Sequence, residues 1–205
     1  MTLFNDTDIF TIGTAQKKYI DLPDLTLMHY EGFIAKEEAD NYYTSLLYNT
    51  PWREYQMPMY DKIVTAPRMV AWYGTQEEAR ESTLPWTPEL IKLRLRVEQE
   101  TGLQFNAVLL NLYRNGNDSV AWHSDKEHRI GSNPNIASVT FGQTRPFKFR
   151  HKTNKEAGQV EIPLHHGTLL LMSGTTNTFW EHHIPKSAKE MLPRINLTFR
   201  QVKKW

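Results

Sequence analysis

Beyond Gly102 the hydrophobic period of this chain switches from the helical repeat to strict alternation and keeps it to the end. Short strands are expected near 105–114, 119–123, 136–142, 146–151, 159–163, 168–172, 179–184 and 194–202. Turn signals such as Asn115-Gly116, Gly131-Ser132-Asn133-Pro134 and Gly174 separate them. Upstream, Leu25 to Tyr30 reads as a strand. Lys36 to Tyr48 reads as a helix with Ala39, Tyr43, Leu46 and Leu47 on one face, ended by Pro51-Trp52. Arg53 to Tyr60 reads as strand or loop, with Met57 and Met59 exposed, and Arg68 to Gly74 as a strand stopped by glycine. Thr75 to Trp86 is a polar loop. A second helix starts at a Thr87 cap with Pro88 in its first turn. It buries Leu90, Leu93 and Val97 and ends at Gly102. Two helices followed by about eight strands predict an α+β fold, helices packed on a double-sheet jelly roll. Residues 1–25 read as an irregular arm, and 26–205 as one domain with its barrel at about 105–202.

The 205 residues include no cysteine, which excludes disulfides, iron–sulfur clusters and Cys-ligated zinc. Any metal must be held by His, Asp or Glu. No apolar run reaches spanning length, and the start carries acid rather than a basic signal region, so a cytoplasmic or nuclear protein with no membrane attachment is expected. Charge is uneven. Residues 1–142 hold 13 Lys+Arg against 19 Asp+Glu, while 143–205 hold 11 against 4. The basic C-terminal part, with Arg145, Lys148, Arg150, Lys152 and Lys186, reads equally as a solvated surface or as a contact for an anionic polymer.

The chemistry concentrates at Asn111 to Glu127, NLYRNGNDSVAWHSDKE. In extended chain His123 and Asp125 point to the same side and can chelate one divalent metal. A second His from far along the chain would complete a 2-His-1-carboxylate set with open positions, the arrangement of non-haem Fe(II) oxygenases. His-x-Asp alone is a weak signal. Trp180-Glu181-His182-His183 offers two candidates on opposite faces of a strand. His182 shares its face with Trp180 and is the better one, leaving His183 outward.

The last strand adds a second signal. Arg194, Asn196, Thr198 and Arg200 share one face, and Ile195, Leu197 and Phe199 share the other. Two guanidiniums on one face suit either a solvated edge or a forked grip on a small dianion. 2-Oxoglutarate, a diacid that can also ligate iron, is that kind of molecule.

Together, His123-x-Asp125, His182 and Arg194 to Arg200 resemble the AlkB family of Fe(II)- and 2-oxoglutarate-dependent nucleic-acid dealkylases. The resemblance extends through Asn111-x-Tyr113, Ile136 to Gly142, Gly167 to Met172, Pro67-Arg68 and Ala71 to Gly74, and covers roughly 65–202. It implies a double-stranded β-helix with N-terminal helices on the major sheet, and a nucleotide-recognition region at about 50–86. It implies that His123, Asp125 and His182 hold Fe(II), and that Arg194 pairs with the distal carboxylate of 2-oxoglutarate. Asn111 and Tyr113 would donate to the cosubstrate, and Asn196, Thr198 and Arg200 would line its site. Glu127 would meet the exocyclic amine of a flipped base, with Arg68, Trp72 and Tyr73 also on the substrate side. The implied activity is oxidative demethylation of 1-methyladenine and 3-methylcytosine with O2, releasing formaldehyde, succinate and CO2. That is direct-reversal repair of DNA, with RNA as the alternative, by a monomer.

One departure bears on substrate. Some duplex-acting members stack an aromatic from the loop after the Tyr-Gly strand, whereas here that loop lacks Tyr and Phe and holds only Trp86. Single strands are therefore favoured. Two other readings remain open at this level. One is the same chemistry on RNA, a protein or a small molecule; the other is a non-catalytic jelly-roll binding module.

Overall fold

The computed structural model describes residues 10, 12–59, 62–74, 83–125 and 130–203, with backbone alone at 57–59. Among these residues twelve strands form two antiparallel sheets, with the two long helices outside the larger one. The strands are β1 (Gln16–Leu22), β2 (Leu25–Glu31), β3 (Arg53–Met59), β4 (Lys62–Gly74), β5 (Ala107–Tyr113), β6 (Val120–His123), β7 (Ile136–Gly142), β8 (Arg145–His151), β9 (Gln159–Leu164), β10 (Thr168–Ser173), β11 (Trp180–Ile184) and β12 (Arg194–Arg200). The helices are α1 (Lys36–Asn49), α2 (Pro88–Thr101) and the one-turn α3 (Thr176–Phe179). The major sheet runs β1-β2-β10-β7-β12-β5-β4-β3 and the minor sheet β6-β11-β8-β9.

Alternation divides the apolar residues into two cores. Val108, Leu110 and Leu112 of β5 and Ile195, Leu197 and Phe199 of β12 point outward, under Tyr42, Tyr43 and Leu46 of α1 and Leu90, Leu93 and Val97 of α2. Each fully buried Leu or Val there is worth about 2 kcal/mol of apolar burial. The second core lies between the sheets, where Leu25, Leu27, Ile136, Leu170 and Met172 meet Phe147, Phe149, Ile162, Trp180 and Ile184. The polar face of β12 opens onto that same space. Helix α2 begins as its sequence predicts, with the Thr87 side chain accepting from Leu90 N at 3.2 Å and Gly102 left-handed at its end.

Several elements differ from the sequence reading. Residues 16–22, expected to be irregular, form β1, paired with β2 along its whole length. Its side chains are almost all exposed, so it carries no apolar alternation to read. Lys17 and Lys18 suit a sheet edge, where charge discourages further pairing. Arg53–Met59 takes the strand alternative of its reading, whereas β4 begins at Lys62 rather than Arg68. Phe179 closes α3 instead of opening β11. The expected exposure of Met57 and Met59 lies outside the described residues. No helix among the described residues is long and apolar enough to cross a membrane.

One buried polar link ties the helices to the sheet. His166 is fully buried; its Nδ1 accepts from Gly142 N at 2.8 Å, so Nε2 carries the proton and donates to Asp40 of α1 at 3.0 Å. Gly142 has φ of 89°, and a Cβ there would lie 2.4 Å from the Pro193 carbonyl. Only glycine lets β7 end so close to the residue before Arg194. Burial pushes the His166 imidazole down to about 4 from 6.5. The unfolded chain therefore takes up a proton between about pH 6.5 and 4 that the folded chain refuses. The stability that depends on a neutral His166 is complete above this window and lost as pH falls through it. Thermal melts of the metal-free protein should show the melting temperature dropping across that range. His166→Gln should flatten part of the slope, with buried His182 retaining its own share.

Candidate metal centre

Three distant segments converge between the sheets. Antiparallel pairing of β11 with β6 sets His182 directly opposite His123, and their rings lie edge to face at 4.4 Å. Asp125 follows two residues later, Oδ1 lying 3.8 Å from His123 Nε2. One ligand atom from each of His123, Asp125 and His182 lies within 4.8 Å of the others. The two histidines come from facing strands and the carboxylate from the loop beyond. Adjacent His183 points outward.

Each ligand is held from behind. His123 Nδ1 is 2.8 Å from the Ala121 carbonyl. A carbonyl only accepts, so Nδ1 is the protonated nitrogen and Nε2 keeps its lone pair for a metal. Phe147 and Phe149 flank the His182 ring at 5.1 and 6.1 Å. Burial, then His123 beside it, pushes His182 down to about 3. Burial opposes ionisation of Asp125, yet Arg200, His182 and His123 hold its carboxyl down at about 2. Neutral imidazole beside ionised carboxylate is the state a divalent metal requires.

Arg200 Nη2 donates to Asp125 Oδ2 at 3.0 Å. Arg194, 1% exposed, donates through Nη2 to Thr140 Oγ1 and Asn196 Oδ1, both at 2.8 Å. Its Nε and Nη1 are buried without protein partners, as is Nε of Arg200. Unpaired N–H groups on a guanidinium at that depth favour an anion beside them, and burial pulls Arg194 down to about 10. The Asn196 carboxamide oxygen also accepts from Ser138 and Thr140, and its nitrogen donates to Thr198. Asn111 accepts from Arg68 Nε at 2.9 Å, which leaves its amide N–H groups as donors. The Tyr113 ring is close to both Arg194 and Arg145, with ring–guanidinium distances of 5.3 and 5.9 Å. The donor set and the unpaired guanidinium N–H groups thus fit Fe(II) together with a small diacid.

Other expected residues fall elsewhere. Trp72 is half-buried on the same side as Arg68, 5.9 Å from the Arg200 guanidinium. Tyr73 is one residue on and therefore on the opposite face of β4. It is 4% exposed, in the core under the helices, which corrects its assignment to the substrate side. Glu127 lies outside the described residues. Arg94 lies over the Trp86 ring at 4.8 Å and takes up one of its faces. The basic group also disperses. Arg145 is buried on the carbonyls of Asn115, Asp118 and Pro185. Lys148 and Arg150 pair with Glu161 and Glu181, Lys152 donates to the carbonyls of Asn177 and Thr178, and Lys186 is exposed.

Asn177, on α3, was not legible in the sequence. Its Oδ1 accepts from Asp125 N at 2.8 Å and its Nδ2 donates to Asp125 O at 3.0 Å. Nothing local marks a residue that clamps a loop 52 positions away. Ser124 adds a bond to the Trp180 carbonyl at 2.9 Å.

A jelly roll with a His-Asp-His cluster beside a buried arginine that keeps unpaired N–H groups defines a class of protein suited to hold a metal and a small anion. Comparison with known sequences narrows it. Residues 26–200 match the model of the 2OG-Fe(II) oxygenase superfamily. Alpha-ketoglutarate-dependent dioxygenase alkB homolog 3 of Bos taurus is 42% identical over 183 residues, which are 83% of this chain and 64% of that protein. DNA oxidative demethylase ALKBH2 of Homo sapiens is 38% identical over 159 residues, 72% of this chain and 61% of that one. The chain thus spans just under two thirds of the length of these relatives. A solved structure, "The structure of OsALKBH1", shares the fold with a TM-score of 0.66 at 16% identity, over 91% of this chain and 100% of that one. The chain belongs to the AlkB family of the 2OG-Fe(II) oxygenase superfamily. Fe(II), 2-oxoglutarate and O2 are the cofactor set of that superfamily.

Removing the Asn177 clamp should loosen Asp125 without touching a ligand. Asn177→Ala is expected to weaken Mn(II) or Fe(II) binding by about 10- to 100-fold, the usual cost of losing a group that orients a ligand. Metal titration of the folded variant checks this.

Proposed function

We propose that the chain is an Fe(II)- and 2-oxoglutarate-dependent dioxygenase that demethylates 1-methyladenine and 3-methylcytosine in DNA, with single strands preferred. The observation that carries this reading is the pairing of a His-Asp-His cluster with buried Arg194, whose Nε and Nη1 lack partners. A hydrolase or a binding module needs no such pairing. When bound, iron and 2-oxoglutarate supply the O2 activation that turns an N-methyl group into a hydroxymethyl group, which leaves as formaldehyde, with succinate and CO2 as coproducts.

The chain supplies geometry and charge. His123, Asp125 and His182 hold the metal. Arg194 would meet the distal carboxylate of the cosubstrate in a charge-assisted contact through an N–H group that the protein leaves free. Asn111 donates from its amide, kept in the right flip by Arg68. Tyr113 covers the Arg194 guanidinium, and Phe147 and Phe149 keep water from the inner side of His182. Arg200 holds the second oxygen of Asp125, so that Oδ1 is the one left for the metal.

The substrate atom lies on the pairing edge of a base, so the base must leave its stack, at a cost of a few kcal/mol that is least where a lesion already blocks pairing. Both proposed bases are cationic and pair poorly. Glu127, four residues past His123, is the candidate to attract them, and Arg68 and Trp72 lie on the side of β4 from which a base would approach. Support for single strands is that the only aromatic of residues 75–86 is Trp86, and Arg94 already occupies one face of its ring. A monomer in an intracellular compartment, cytoplasmic or nuclear, fits this reading and the absence of cysteine.

The test is mass spectrometry of a single-stranded oligonucleotide carrying 1-methyladenine after incubation with protein, Fe(II), 2-oxoglutarate and O2. Loss of the methyl with matching succinate is expected, faster than on duplex. RNA of the same sequence is the parallel arm. Asp125→Ala should abolish turnover. Arg194→Ala should raise the 2-oxoglutarate KM by roughly 10-fold or more, since a hydrogen bond to a charged group is worth about 1.5–3 kcal/mol. Succinate formed with no change in oligonucleotide mass would reject the substrate.

A further inference from the structure

The outer faces of β6 and β11 carry an arrangement that the metal chemistry does not use. The register sets His182 opposite His123 and Ile184 opposite Val120, with a shift between. Ala121 and Trp122 therefore face the single residue His183, which is a β-bulge. A bulge leaves one residue out of the ladder. Here the Ala121 carbonyl accepts from His123 Nδ1 instead.

On the outside, the Trp122 indole stacks on the His183 ring, centroids 3.8 Å apart and planes 24° from parallel. The Arg150 guanidinium lies 4.4 Å from the Trp122 ring centre. Arg150 also forks onto Glu181 at 2.9 and 2.7 Å. The stack thus crosses β6, β11 and β8. Strand β6 has four residues, stands at the edge of the minor sheet, and pairs in that sheet only with β11. It needs a side-chain hold, and the stack is centred on the residue next to His123.

We propose that Trp122, clamped by His183 and Arg150, is a positioning residue for His123. Holding the indole outside fixes the bulge inside, and the bulge carbonyl fixes the rotation and tautomer of the His123 ring. This rests on the reading of His123, Asp125 and His182 as an iron site. Bulges beside active sites re-aim side chains in this way, and partners that orient a metal-bound His are worth about 10- to 100-fold in affinity.

The experiment is Mn(II) titration by calorimetry on the full chain, well below the melting temperature of each variant, with the visible spectrum of bound Co(II) as a second readout. Trp122→Ala should weaken Mn(II) binding by about 10- to 100-fold and alter the Co(II) bands. Trp122→Phe, which keeps an aromatic face, should recover most of the affinity and the wild-type spectrum. His183→Ala removes the other half of the stack and tests the clamp even if Trp122→Ala does not fold. Folded variants that bind Mn(II) as wild type does, with unchanged Co(II) bands, would overturn the proposal. Wild-type protein that binds no Mn(II) would instead bring down the iron reading, and this inference with it.

Discussion

Two guanidinium groups buried on the inner face of one strand set the terms for the site. Arg194 and Arg200 stand at opposite ends of β12, between the sheets, where an unpaired charge is costly. Arg200 is answered within the chain by Asp125. Arg194 is answered only in part, by the oxygens of Thr140 and Asn196. Its remaining N–H groups call for an anion from outside, and the carboxylate that Arg200 stabilises presents its other oxygen toward two histidines. One strand thus commits the inter-sheet space to a cation at one end and an anion at the other.

That commitment is affordable because the rest of β12 works in the opposite sense. Ile195, Leu197 and Phe199 alternate with the polar residues and lock the strand under the helices. Strands β5 and β7 flank it on both sides, so a slip by one residue would turn the guanidiniums into the apolar core. The register is therefore strongly specified. His166 joins α1 to the end of β7 from the same outer side, and Gly142 lets Pro193 approach closely before β12 begins. The site is rigid on its major-sheet side for these reasons.

The minor-sheet side is built differently. Strand β6 is short and bulged, and it is held by side chains: Trp122 on the outside, Ser124 to the Trp180 carbonyl, and Asn177 on the backbone of Asp125. Arg145 draws the loop before β6 and the segment after β11 onto one guanidinium. Two of the three candidate ligands thus depend on contacts that a neighbouring loop or strand supplies.

Much of this was legible in the chain alone. Period-two alternation placed the late strands within a residue or two, and separated Arg194, Asn196, Thr198 and Arg200 from Ile195, Leu197 and Phe199. It also chose His182 over His183. These are properties of a strand's own geometry, which the order of residues determines. The same rule, applied to β4, already divides Tyr73 from Trp72, and the structure follows the alternation. What the tertiary structure alone decided is which distant atoms meet. Strand β1 has no apolar face to announce it, because its hydrogen bonds come from β2. The charge count around residues 143–205 read as a basic surface until Glu161, Glu181 and three carbonyls took up Lys148, Arg150 and Arg145. Asn177 and the Trp122–His183 stack owe their places to contacts across more than 50 residues, and the Ala121 carbonyl to the bulge that pairing with β11 creates. Local sequence carries no record of such partners, since pairing energy is settled only when both strands are in register.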